Sequence, residues 1–173
     1  MRTALTRIAV GGATVGLAVL TVAVTAQPAA AVVRTFDDGG GYLTTVRVRH
    51  GAENLRVKAD VGAYEVGSRF VFWLDTDSDD PGPEYKISVF PNSEVAPLKA
   101  VETFADSGSD VSCDYRASAD AFGAHVVTIV VPRSCLGTPD AVGVSIKARY
   151  AVPGPNVTDY GPARQEFFPA VAS

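Results

Sequence analysis

The chain has 173 residues, with 15 Lys and Arg against 19 Asp and Glu and a net charge of −4 at pH 7. An acidic balance speaks against nucleic acid as a partner, because that binding rests on Lys and Arg neutralising phosphates. Two histidines and two cysteines are too few for most catalytic zinc sets, and the length fits one domain able to bury a core of its own.

At the N-terminus, Arg2 and Arg7 make a short positive region, Ile8 to Ala26 is uncharged and mostly apolar, and Ala29-Ala30-Ala31 offers small residues. This is the anatomy of a secretory signal peptide. Residues 1–31 are expected to be removed by cleavage after Ala31, leaving a secreted chain free of the membrane; a retained anchor is the alternative. No later stretch has the roughly 20 apolar residues of a spanning helix. Removing Arg2 and Arg7 with no acid moves the charge from −4 to −6, which favours solubility and cation binding.

Residues 32–41 end in DDGGG and read as a flexible lead-in, with residues 42–173 as a single domain. Asp37 and Asp38 either join a cation site by folding back or form a solvated turn. Leu43 to His50 alternates apolar and polar residues, and Gly51 to Asn54 is its turn. Leu55, Val57, Ala59 and Val61 then alternate with Arg56, Lys58 and Asp60, so the two runs predict a hairpin with one solvated face.

The stretch Arg69 to Val89, RFVFWLDTDSDDPGPEYKISV, carries the most distinctive chemistry. Phe70, Phe72 and Leu74 share one parity, and Val71 and Trp73 share the other, so both faces of this strand are apolar and it is expected at the centre of a sheet. Tyr85, Ile87 and Val89 line one face of the next strand. Pro81, Gly82 and Pro83 prevent either from running through. The connecting loop places Asp75, Asp77, Asp79, Asp80 and Glu84 within ten residues and no Lys or Arg among them. Ca²⁺ takes six to eight oxygen ligands, and alternating loop carboxylates can converge on one ion. The spacing is not that of an EF-hand, since Asp80 and Lys86 stand where its glycine and closing glutamate belong. Two readings stay open: a structural Ca²⁺ held by these five acids, or a solvated loop of Asx-turns.

Further on, strands are expected at Leu98 to Phe104, Val111 to Ala119, His125 to Val131 and Val142 to Tyr150, while VPGPNVTDYGP reads as loop and Phe167 and Phe168 as a tail tucked against the body. Cys113 and Cys135 are expected to pair, as two cysteines of an exported chain usually do. No CxxC spacing or adjacent His points to a metal or redox use. About eight or nine short strands separated by Gly, Pro, Asp and Asn turns predict an all-β fold, an antiparallel β-sandwich of immunoglobulin-like or jelly-roll-like kind with one disulfide.

The motifs Phe72-Trp73-Leu74-Asp75-Thr76-Asp77, Pro81-Gly82-Pro83-Glu84, Pro91-Asn92-Ser93 and Pro132-Arg133-Ser134-Cys135-Leu136-Gly137 together resemble a family of uncharacterised secreted actinobacterial proteins. That resemblance covers most of the chain after residue 31 and implies no activity. More remotely, an apolar strand ending in D-x-D is similar to the superfamily of DOMON domains and family-nine carbohydrate-binding modules, which implies a β-sandwich that binds sugars or haem, in some members with structural Ca²⁺. Two departures stand out. The only methionine is Met1, so haem ligation by Met and His is not implied here, and Trp73 is the only tryptophan, so a two-tryptophan sugar clamp is not either.

For an enzyme, the bases available are His50 and His125. There is no G-x-S-x-G elbow and no H-E-x-x-H, and Gly143-Val144-Ser145 lies on a regular strand rather than a sharp turn. A carboxylate pair such as Asp75 with Glu84 is the remaining hydrolytic arrangement. The sequence therefore predicts a secreted, non-catalytic binding module for a carbohydrate or cell-surface component, with no cofactor beyond the Ca²⁺. Tyr64 and Tyr160, in loops, are its candidate ligand contacts, and Trp73 is expected in the core. The alternative is a structural or interaction protein of the cell envelope with no small ligand. Asn156-Val157-Thr158 fits a glycosylation sequon.

Overall fold

The computed structural model describes residues 30–38, 41–80, 82–91, 97–120 and 125–173. The apolar N-terminal stretch lies outside them, as do Pro81, Asn92 and Ser93 of the motifs. In chain order the strands are β1 (Val32–Asp37), β2 (Leu43–His50), β3 (Asn54–Val61), β4 (Arg69–Asp75), β5 (Tyr85–Val89), β6 (Lys99–Ala100), β7 (Ser109–Asp110), β8 (Arg116–Asp120), β9 (Val126–Pro132), β10 (Ala141–Tyr150), β11 (Val157–Gly161) and β12 (Phe168–Ala172). Sheet A has the order β1-β2-β3-β9-β8 and sheet B the order β11-β10-β4-β5-β6-β7, with β12 also on β10. Every pairing is antiparallel. The chain is an all-β sandwich of two antiparallel sheets, and no α-helix occurs among the described residues.

Alternation decides which side chains lie between the sheets. Val46, Val48, Leu55, Val57, Val127 and Ile129 from sheet A, and Phe70, Phe72, Leu74, Ile87 and Ile146 from sheet B, are all fully buried in one cluster. Each such side chain contributes about 1.5–3 kcal/mol of burial. Strand β4 also buries its other face: Val71 and Trp73 pack with Val101, Phe104 and Phe167 in a second, smaller cluster. Trp73 is thus core, as expected, but outside the sandwich interior.

Four expectations are corrected. Val32–Asp37 is not a flexible lead-in but strand β1, in a six-residue register with β2; Phe36 stacks on Phe168 at 4.8 Å. The strand expected at Leu98 to Phe104 shrinks to the two residues of β6, and that expected from Val111 begins only at Arg116. Part of VPGPNVTDYGP is β11, which completes the edge of β10 between Ile146 and Tyr150. These edge strands are mostly half-buried or exposed, so they need little of the apolar alternation that marks β3 or the doubly apolar pattern of β4.

Two links fasten the layers. His50, fully buried at the end of β2, donates from Nδ1 to the carbonyl of Val171 in β12 at 2.9 Å, joining sheet A to sheet B. A carbonyl only accepts, so Nδ1 carries a proton, and burial pushes the ring's pKa below the ordinary 6.5. Cys113 and Cys135 form the disulfide, with Cα atoms 5.9 Å apart, tying the segment before β8 to the 3₁₀ turn Arg133–Leu136 after β9.

The bridge spans a sequence separation of 22 residues, so the double variant C113A/C135A should lose about 3 kcal/mol in the chain-entropy model, measured by denaturant melts. For His50, the unfolded chain takes up a proton as pH falls through about 6.5 and the folded chain only below that, so stability should fall as pH drops below about 6.5. His50→Asn should flatten that part of a Tm-against-pH curve.

Candidate functional site: a basic face and an acidic cleft

The five loop acids do not converge. Glu84 turns inward, its Oε2 accepting the Thr76 N–H at 2.5 Å and the Thr76 hydroxyl at 3.1 Å. Asp77 Oδ1 accepts the Asp79 N–H at 3.0 Å, an Asx-turn, and Asp79 and Asp80 are exposed. Among the described residues no three His, Cys, Asp or Glu side chains are placed as a metal set. What the fold assembles instead is a cleft of about 230 Å³ between the end of β4 and the start of β10, bordered by Asp75, Asp77 and Asp140. Asp75 lies over Gly143, where a Cβ would sit 3.3 Å from its own. Burial first, then repulsion from Glu84, raises the Asp75 pKa.

A second carboxylate pair, Asp38 just after β1 and Asp159 of β11, lies near the start of β2. Asp159 accepts the N–H of Leu43 through Oδ2 and of Tyr160 through Oδ1, both at 2.9 Å. Partial burial and then Asp159 push Asp38 up to about 6. This shift has the opposite sign to that of His50: Asp38 destabilises the fold at neutral pH and is relieved on protonation.

Tyr64 is not the exposed loop side chain expected: only 5% exposed, it packs edge-on against Phe70 at 5.0 Å. Tyr160 is half-buried on the outer side of sheet B, with the Lys147 ammonium 5.8 Å from its ring centroid. The structure does not bring the two tyrosines together. Nor does it bring together the histidines. His50 is level with Leu55 and Val131, while His125 precedes Val126 at the other end of β9, a separation of about 20 Å at 3.4 Å per residue.

The outer face of sheet A was not singled out by its sequence. Register places Arg49 opposite Arg56, Arg56 opposite Val130, and Val130 opposite Arg116, so three arginines from β2, β3 and β8 stand in one row across the strands. The next row holds Arg47 opposite Lys58, then Thr128 and Ser118. All four arginines are exposed. Among the described residues only Lys58 in this group has an ion pair, with Asp60 at 3.0 Å. Two adjoining depressions, of about 410 and 470 Å³, share Arg56, Arg116 and Val130 as walls. Like charges directly opposite each other are destabilising in a sheet, yet this face stacks two such pairs, Arg49 with Arg56 and Arg47 with Lys58.

The alternation Arg47, Arg49 and Arg56, Lys58 was visible as the polar side of a hairpin. Arg116 was not, because β8 is 60 residues along the chain from β3 and reaches it only through β9.

The fold and these surfaces define a disulfide-bonded two-sheet domain with a basic outer face. Comparison with protein-family models, with curated proteins and with solved structures finds no match.

Proposed function

We propose that the chain is an exported, non-catalytic binding module that holds an anionic component of the cell envelope on the outer face of sheet A. The row Arg49, Arg56, Arg116 carries this reading: three exposed arginines share one register row of the sheet, Arg116 separated from Arg56 by Val130, in a chain that has more acids than bases. Guanidinium groups bind carboxylate, sulfate and phosphate in two-pronged fashion, and side chains mounted on strands hold their spacing better than side chains on loops. The disulfide is compatible with export.

A calcium ion is the second element of the reading: Asp75, Asp77 and Asp140 border one cleft, and because they are not already placed as a ligand set an ion would have to draw them together. Backbone carbonyls and water would supply the other oxygens. Asp79 and Asp80 do not border that cleft, and Glu84 serves the loop's own hydrogen bonds.

Two measurements test these elements. Arg49→Glu replaces a repulsive cross-strand pair by an attractive one, so it should raise stability by roughly 0.2–1 kcal/mol. The same variant, and more strongly R56E/R116E, should weaken binding of labelled inorganic polyphosphate, by about tenfold per arginine lost. Gain of stability together with loss of affinity distinguishes a ligand surface from a merely solvated one; unchanged affinity in both variants would refute the assignment. For calcium, a concentration about ten times Kd should stabilise the fold by about 1.4 kcal/mol, and Asp140→Asn should abolish the gain. An unmoved Tm at millimolar Ca²⁺ removes the ion.

A further inference from the structure

We infer that the ligand of the basic face is a linear acidic polysaccharide, a single chain with a carboxylate or sulfate on each repeat, lying across the strands along the row Arg49, Arg56, Arg116. The inference rests on the anion-binding reading above and names its substrate class.

Shape comes first. Neighbouring strands are about 4.8 Å apart, so the three steps from β2 through β3 and β9 to β8 give the row a length of about 14 Å. Its charges are spaced on the order of one sugar ring, with a gap at Val130 where β9 contributes no cation. Across its width the basic area is only two rows, about 7 Å along the strand direction. It is then closed off, because the third row places Asp37 and Asp60 on either side of Thr45, and Glu53 stands beside the depression at the hairpin end. A narrow stripe between acids fits one polymer chain. A bilayer surface or a nucleic-acid duplex would bring its own negative charges over the acidic row as well.

Chemistry points the same way. Among the described residues no aromatic side chain has the outward parity on the strands of sheet A, and Tyr115, which borders one depression, is half-buried against the core, so the row of arginines lacks the series of aromatic platforms on which successive bases of single-stranded nucleic acid stack. Beside the arginines, Thr128 and Ser118 instead place hydroxyls level with Arg47 and Lys58. Cations along the first row, and cations followed by hydroxyls along the second, match a polymer that carries both acidic groups and sugar hydroxyls, and the depressions sharing Arg56 and Arg116 form its bed.

The test compares labelled polygalacturonate, heparin, neutral dextran, duplex DNA and phosphatidylglycerol vesicles on the whole protein, with inorganic polyphosphate as reference. The expected result is binding of polygalacturonate and heparin that weakens with salt, none to dextran, and weaker binding to DNA and vesicles. Arg116→Ser, at an exposed edge-strand position, should lower the affinity for both acidic polysaccharides about tenfold with Tm unchanged. Oligogalacturonates should gain affinity with length until they span from β2 to β8 and little beyond. DNA or vesicles binding as tightly as the acidic polysaccharides would overturn this inference, as would a length dependence that never levels, while polyphosphate binding would still uphold anion recognition. Failure of every polyanion, polyphosphate included, would overturn both.

Discussion

The fold depends on β4, whose side chains of both parities are apolar. One parity, Phe70, Phe72 and Leu74, fills the space between the sheets, and the other, Val71 and Trp73, is covered from outside by Val101, Phe104 and Phe167. A strand like this has no face it can expose, so it must lie inside a sheet, with β10 on one side and β5 on the other. The rest follows by layering. Sheet A closes the inner face, and the loops around β6 and the tail before β12 close the outer one. The acidic loop sits at the end of β4 because the strand must stop where its apolar run stops.

Charge is segregated rather than mixed. The chain is acidic as a whole, yet the outer side of sheet A carries arginines and a lysine facing one another across strands, while Asp75, Asp77 and Asp140 border a cleft at the end of sheet B. At physiological ionic strength fields decay within about 8 Å, so a ligand on the basic stripe meets the nearby guanidinium groups and not the net charge. An overall balance of −4 therefore says less about partners than the sequence reading took from it. It is the placement of each charge on a face that matters to a ligand.

The interior carries its own signs of coupling to pH. Burial pushes the His50 pKa down, against the Nδ1–H bond that joins the two sheets, and partial burial, then Asp159, pushes the Asp38 carboxyl up to about 6. The two work against each other below neutrality, one costing stability as it is forced to charge and the other relieved as it loses charge. The net dependence in that range is a balance of the two, set by how the chain ends of β1 and β12 pack on β2 and β11.

By itself the sequence determined the fold class, the doubly buried central strand, the β2–β3 hairpin and the pairing of Cys113 with Cys135, because alternation and oxidation state are local or compositional properties. It did not determine the edge strands β1 and β11, which need only one partner and so carry weak alternation, nor the burial of Tyr64, which lies in a segment with no periodic pattern and packs against Phe70 and His125 from distant parts of the chain. The candidate site was half legible. Arg47, Arg49, Arg56 and Lys58 were seen as a solvated side, but only the register through β9 set Arg116 beside them, and only the meeting of β4 with β10 added Asp140 to Asp75 and Asp77. Periodicity states which way a side chain points; which distant side chains point the same way beside it is fixed by strand order, and strand order exists only once the sheets have formed.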